Sequence, residues 1–157
     1  MDYLIGIDIG TSSVKGVLMT TEGQVVHSAR SSFDYIHLDN GGVEIGAKKY
    51  LSSCFTTLKE LAGAATDGSI KGVCASSASG NMLLLDKKNK PITNIISWQD
   101  KRVTDEAREM LPELGDAFYC QIGWPFGYKA FPLAQLCYIR KHQPSLLESC
   151  VMVAMST

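Results

Sequence analysis

The sequence predicts an α/β protein whose mixed sheet begins as a three-strand antiparallel meander, continues in parallel strands and carries flanking helices. Three observations predict it. Residues 3–31 read as three β-runs joined by two short turns, residues 47–65 carry a strong helical repeat, and residues 70–76 return to a β-pattern. Strands followed by a crossover helix and a further strand make a layered α/β unit.

The opening stretch organises the rest. Tyr3-Leu4-Ile5-Gly6-Ile7 is an apolar run that ends on Asp8; Gly10, three hydroxyl residues (Thr11, Ser12, Ser13), Lys15 and a second apolar run follow. This is the pattern of a strand, a tight turn and a returning strand. Gly10 is expected to let the turn take a conformation barred to side-chain-bearing residues, and Thr11, Ser12 and Ser13 place short donors beside its exposed amides. Such a turn can cradle phosphate. Asp8 leaves the strand where the turn starts, and a carboxylate there repels phosphate unless a divalent cation lies between them. Magnesium suits that place, because it takes oxygen ligands and binds through one or two carboxylates plus substrate phosphates. Lys15 adds a compact positive charge. A bare Asp-x-Gly is equally compatible with a hairpin whose Asp8 bonds turn amides and whose Lys15 is solvated; the full string favours phosphate.

Gly23 sits in a turn after which Gln24 to Ser31 forms the third strand, and Ser32 to Gly42 reads as a loop or irregular edge. From Ala47 to Ala65 the apolar positions Ala47, Leu51, Cys54, Phe55, Leu58, Leu61, Ala62 and Ala65 recur at steps of three and four, which predicts an amphipathic helix over one sheet face. Glu44 lies just before it, where a carboxylate favours the helix dipole without any chemical role. Ile70 to Ser76 is the fourth strand, entering parallel to its neighbour. The small polar residues Ser76 to Asn81 follow at its carboxyl end, where open α/β sheets place ligands, although a flexible turn is the alternative. Met82 to Leu85 is the next strand, and Asp86 to Pro91 a charged hairpin tip. Ile92 to Ile96 then runs into Trp98-Gln99-Asp100-Lys101-Arg102. An aromatic ring can stack on a sugar's C–H face, and a carboxylate with a guanidinium offers acceptors and donors to hydroxyls. Alternatively, Asp100 caps the following helix and Arg102 pairs with a carboxylate. That helix starts at Lys101, buries Val103, Ala107, Met110, Leu111 and Leu114, and is expected to stop near Pro112. A structured Gly/Pro/aromatic loop spans 123–132, Leu133 to Lys141 is helical, and 151–157 starts another strand.

Composition excludes several classes. With 157 residues, 45% of them hydrophobic and 20% charged, the chain suits one globular core. A net charge of −1 and a pI near 6.3 leave no basic footprint for nucleic acid. No signal-peptide pattern opens the chain, and no apolar run reaches the roughly 18 residues of a membrane span. Neither nucleic acid nor membrane is expected as a partner, and the cytoplasm is the expected location. The five cysteines form no CxxC pair and are read as buried free thiols; the three histidines show no ligand pattern.

Gly6-Ile7-Asp8-Ile9-Gly10-Thr11-Ser12-Ser13-Val14-Lys15-Gly16-Val17-Leu18 resembles the first phosphate-binding hairpin of the actin and hexokinase superfamily, with its ribonuclease H-like sheet. Followed by Thr21 to Val26, and joined to the string from Trp98 to Arg102, it is most similar to the FGGY carbohydrate kinases, which include xylulokinase, gluconokinase and glycerol kinase. The resemblance implies an ATP-dependent kinase acting with Mg2+ on a hydroxyl of a small sugar, polyol or aldonate. It implies phosphate contacts from Gly10, Thr11, Ser12, Ser13 and Lys15, magnesium organised by Asp8 directly or through water, and a sugar pocket lined by Ser79, Gly80, Trp98, Asp100 and Lys129. Relatives carry a Gln-Met-His-Gly or an Arg-Glu signature where this chain has Ala78-Ser79-Gly80-Asn81, so neither xylulose nor glycerol is indicated. A lysine at 129 suits an acidic sugar.

FGGY kinases are much longer, two-domain chains, so residues 1–157 are expected to be an incomplete first domain. The general base, a second phosphate hairpin and the adenosine pocket would lie beyond Thr157, and the piece alone is expected to be inactive. A homodimer of the parent is compatible with the resemblance. The alternative is a non-catalytic module that senses sugar or nucleotide on the same fold. A two-metal nuclease, which also starts its sheet with an Asp, needs several carboxylates converging on that Asp; here the hydroxyl-rich turn favours a nucleoside triphosphate and the near-neutral charge argues against nucleic acid.

Overall fold

The computed structural model describes residues 1–123 and 132–155. The chain divides into two compact units, one formed by Met1–Tyr35 with Ile45–Ala78, the other by Ile36–Glu44 with the chain from Ser79 onwards.

In the first unit, β1 (Asp2–Ile9), β2 (Ser13–Thr20) and β3 (Val25–Ser32) form the meander, and β6 (Ser69–Ser77) joins β1 in parallel, for a sheet order of β3-β2-β1-β6. The predicted class is therefore realised, with one parallel strand in this sheet. Alternation sorts the side chains: Tyr3, Ile5 and Ile7 on β1, Val14 and Leu18 on β2 and Ala29 on β3 are buried, while their neighbours turn to the other face. Tyr3, Ile5, Leu18, Ala29 and Leu61 make one apolar cluster.

Helix α1 (Ala47–Gly63) covers this face, as the apolar repeat predicts, but with a shifted stripe. Ser53, Cys54, Thr57 and Leu61 are buried, whereas Leu51 and Phe55 are exposed. The reason lies in β2. A Cβ on Gly16 would stand 2.6 Å from the Leu61 side chain, 3.1 Å from the Gly6 carbonyl and 3.3 Å from Thr57. The bare backbone at Gly16 thus admits Thr57 and Leu61, and that contact sets the helix's rotation. Strand β6 is the sheet's edge and is exposed along almost its whole length.

Between β3 and α1, where a loop or irregular edge was expected over Ser32 to Gly42, lie two short strands, β4 (Tyr35–His37) and β5 (Val43–Ile45). They join β7 (Met82–Leu85), β8 (Ile95–Ile96) and β9 (Met152–Met155) in a second sheet of order β4-β5-β8-β7-β9. Three-residue strands leave too little alternation to read from sequence. Met82, Leu84 and Ile96 pack with Ile139 of α3 (Pro132–His142), and Val103, Tyr119 and Ala134 form a neighbouring cluster. A short helix, α4 (Pro144–Ser149), completes the unit. The hairpin tip at 86–91 is closed by Asp86, whose carboxylate accepts the Lys88 and Lys90 amides at 2.8 and 2.9 Å.

Helix α2 departs from expectation. It runs Thr104–Ile122, passes Pro112 and breaks at Gly115, where φ is 68° and ψ is 170°. Proline removes one hydrogen bond to the preceding turn yet can itself hold helical φ, whereas the Gly115 conformation is open to little but glycine. Val103 is buried and Leu114 packs beside it; Ala107, Met110 and Leu111 lie outside the described side chains. Among the described residues none of the five cysteines forms a disulfide, but only Cys54 is buried, and Cys74 and Cys120 are exposed, which corrects the expectation of buried thiols. Among the described residues, no helix is long and apolar enough to cross a membrane.

Two predictions concern the first unit. Gly16→Ala forces Leu61 and the Gly6 carbonyl to give way and should cost about 1–3 kcal/mol, read as a lower denaturant midpoint at unchanged slope. The Tyr3 hydroxyl donates to the Asp67 carboxylate, and this bond holds the carboxyl below its ordinary value. A depressed carboxyl stabilises the fold above its unfolded value and loses that contribution as pH falls through its folded value. The stability advantage of the wild type over Asp67→Asn should therefore shrink as pH is lowered below the ordinary aspartate range, measured by denaturation across pH.

Candidate functional site

In the first unit the hairpin closes through a two-residue turn. The Gly10 amide donates to the Ser13 carbonyl at 3.0 Å, leaving Thr11 and Ser12 at the tip. Gly10 is not at positive φ, so the expected reason for this glycine is corrected. A Cβ there would lie 3.4 Å from the Ser13 carbonyl and 3.9 Å from the Asp8 carboxylate, both ordinary contacts, so space does not demand a glycine at this position either. The Ser12 carbonyl accepts the Phe33 amide at 3.1 Å, and the buried Phe33 packs its ring on Tyr50, with centroids 5.2 Å apart. Ser12 is exposed and Thr11 half-buried, whereas Ser13 is only 3% exposed.

Asp8 and Lys15 are register partners across β1 and β2, on the face away from α1. Both are exposed, and among the described residues neither enters an ion pair. Asp8 is also in register with Ser76 on β6, and Lys15 with Arg30 on β3, which gives a four-strand row of Arg30, Lys15, Asp8 and Ser76. This row lines an open concavity of about 680 Å³, to which Ser28 and Cys74 also contribute. Of the hairpin residues singled out from sequence, Asp8 and Lys15 line it; Gly10, Thr11, Ser12 and Ser13 do not. No three His, Cys, Asp or Glu side chains gather into a metal cage among the described residues. One free carboxylate fits a magnesium ion that takes the rest of its shell from water and substrate phosphates.

The second unit holds the other candidate residues in a hydrogen-bonded frame. Buried Asn81 accepts the Trp98 amide on its Oδ1 at 3.0 Å. Buried Gln135 donates through Nε2 to the Gly80 carbonyl at 3.2 Å and the Ser97 carbonyl at 3.1 Å. Gly80 is itself buried, at a φ of 86° that a side chain would strain, while Ser79 is exposed. With its backbone held by Asn81, Trp98 keeps 38% of its surface exposed.

Asp100 is engaged on every side. Its Oδ2 accepts the Val43 amide at 3.0 Å and the Arg102 guanidinium at 2.6 Å, and its Oδ1 accepts the Arg102 amide at 2.9 Å. Arg102 continues to Glu44 at 2.8 Å and lies 5.5 Å from the centre of the Tyr138 ring. Glu44 in turn accepts the Asn94 side-chain amide at 2.9 Å. Side-chain exposures are 0% for Asp100, 7% for Arg102 and 16% for Glu44, so two carboxylates share one cation largely out of water. The bond to Asp100, opposed by burial and joined by Glu44, holds the guanidinium above its ordinary range. Gly42 makes the room: a Cβ there would stand 2.7 Å from Nε of Arg102.

The roles of three of these residues were not legible in sequence. Glu44, read there as a dipole partner, is an ion-pair ligand; Asn81 lies in the small polar stretch singled out but holds the Trp98 backbone, and Gln135 carries no motif that would mark it. Lys129 lies outside the described residues.

By architecture the chain is a sugar-kinase fold. It superposes on the xylulose kinase of Rhodospirillum rubrum with a TM-score of 0.90 at 25% identity, covering 98% of this chain and 32% of that one. The glycerol kinase of Plasmodium falciparum, solved with ADP, gives 0.82 at 18% identity, covering all of this chain and 32% of the other. Among curated sequences, it is 28% identical over 143 residues to a xylulose kinase of Staphylococcus xylosus, covering 91% of this chain and 30% of the relative. It is also 28% identical over 145 residues to a gluconokinase of Bacillus subtilis, covering 92% of this chain and 28% of that relative. A family model described as the FGGY family of carbohydrate kinases, N-terminal domain, matches residues 3–157, and the chain belongs to that family. It spans about 30% of the length of the curated relatives it matches.

The Asp100–Arg102–Glu44 cluster yields a sharp test. Arg102→Met leaves two neighbouring carboxylates without their cation and should cost about 3–5 kcal/mol in chemical denaturation. Arg102→Lys should recover little of it, because an ammonium cannot reproduce the planar fork that spans both carboxylates.

Proposed function

We propose that residues 1–157 form the opening part of the first domain of an ATP-dependent carbohydrate kinase, which transfers the γ-phosphoryl group of ATP to a hydroxyl of a small sugar, polyol or aldonate. One observation carries this reading: a carboxylate and a cation, Asp8 and Lys15, stand in register yet without an ion pair beside a hydroxyl-bearing turn. Unneutralised charges of both signs in an open concavity suit a metal-bound triphosphate. Asp8 would hold, directly or through water, a magnesium ion that comes with the nucleotide, and the ion would shield the phosphate oxygens from its charge. Thr11 and Ser12 offer hydroxyls to those oxygens, Gly10 and Ser13 hold the turn that presents them, and Lys15 opposes their charge. Phosphoryl transfer needs little covalent help from the protein, so positioning and charge stabilisation of this kind are its main requirements.

For the acceptor, the exposed Trp98 ring supplies a stacking face and exposed Ser79 a hydroxyl. Gly80 and Asp100 act differently: their polar groups are taken up by Gln135, Arg102 and Val43, so they position the segments that carry Ser79 and Trp98. Lys129 is the residue that would recognise an aldonate carboxylate. The general base lies downstream of Thr157, and these residues alone do not turn over. ATP as co-substrate suits a cytosolic protein.

The test is magnesium-dependent ATP consumption by the full-length protein against xylulose, gluconate and glycerol. Turnover with at least one is expected, and Asp8→Asn should lower kcat by about 10²–10³-fold, the loss typical of removing one preorganised electrostatic contact. Saturable binding of sugar or nucleotide with no turnover on a broader panel would instead support a sensor on the same fold.

A further inference from the structure

The phosphate reading leaves one cation of the concavity without a role. Arg30 sits on β3 directly opposite Lys15 on β2. Its neighbour Ala29 is buried in the cluster with Leu61, so alternation turns Arg30 to the same open face as Lys15 and Asp8, and all three line the concavity. Directly opposed like charges destabilise a strand pair. Among the described residues Arg30 enters no ion pair or side-chain hydrogen bond, and Lys15, although Asp8 stands in register on its other side, forms no ion pair with Asp8 or any other carboxylate. The hydroxyl residues Ser28 and Ser76 line the same concavity. Two adjacent cations without ion pairs, flanked by hydroxyls and one exposed carboxylate, form a set of groups that suits an oxyanion bound together with a divalent metal.

We propose that Arg30 is a second phosphate-contacting residue, working beside Lys15 on the polyphosphate chain of a magnesium-bound nucleoside triphosphate. This rests on the phosphate reading of the hairpin and adds to it a residue outside the hairpin motif. The chemistry favours the division of labour. Lys15 supplies a point charge, and the planar guanidinium of Arg30 can hold two oxygens of one phosphate at once. The net balance of two cations and one carboxylate leaves the site attractive to anions before the metal arrives.

Isothermal titration of the full-length protein with Mg-ATP, Mg-tripolyphosphate and adenosine tests it, using wild type, Arg30→Gln and Arg30→Lys. Arg30→Gln should weaken both polyphosphate ligands about tenfold, the size of one charge-assisted hydrogen bond. Adenosine affinity should not move, and Arg30→Lys should recover part of the loss. Arg30 is exposed on a strand face, so both variants should keep the wild-type circular dichroism spectrum. Unchanged polyphosphate affinity in Arg30→Gln, with wild type binding normally, overturns the role of Arg30 and leaves the hairpin reading standing. An equal loss for adenosine assigns Arg30 to the fold and also overturns the proposal. Failure of the wild type to bind either polyphosphate overturns the hairpin reading itself, and this proposal with it.

Discussion

Strand alternation across β1, β2 and β3 is the constraint on which the first unit depends. One face must present Tyr3, Ile5, Leu18 and Ala29 to α1, and once that is so, period two leaves no choice for the other face. Asp8, Lys15 and Arg30 are forced onto one row because Ile7, Val14 and Ala29 are forced into the core. A slip of one residue in any pairing would bury a charge and expose an apolar side chain. The same interactions that stabilise the fold therefore hold the charges of the candidate site in place, without a dedicated scaffold.

The second unit solves its positioning problem by a different means. Its strands near the candidate residues are short, and alternation has little to work on. Buried polar bonds take over: Asn81 holds the Trp98 amide, Gln135 ties the Gly80 and Ser97 carbonyls, and Asp100 joins Val43 to Arg102. Groups of this kind are costly to leave unpaired in a low dielectric, so each bond that is made narrows the allowed geometry. Trp98 can be exposed and still fixed because its backbone, rather than its ring, carries the restraint.

These two strategies explain which parts of the chain could be read in advance. The meander and β6 were legible as β-runs bounded by turn residues, and α1 as a repeat of three and four residues sustained from Ala47 to Ala65. The hairpin string was legible because its charges interrupt an apolar pattern. Less visible were β4 and β5, which are three residues long, and the α2 break, where Gly115 rather than Pro112 interrupts the helix. Ser13 shows the limit within a motif: composition groups it with Thr11 and Ser12, yet Ser13, the first residue of β2, is buried, while Thr11 is half-buried and Ser12 exposed.

By itself, then, the sequence determined the class of the fold, its family resemblance, and the position of a carboxylate and a lysine beside a hydroxyl-bearing turn, since all of these depend on order along one strand pair. Tertiary structure alone decided that Arg30 stands beside Lys15, that Glu44 and Asp100 share Arg102, and that Gln135 reaches Gly80. The physical reason is distance along the chain. Glu44 and Arg102 are 58 residues apart and Gly80 and Gln135 are 55, and no local pattern records which remote partner will satisfy a buried charge or carbonyl once the core has closed.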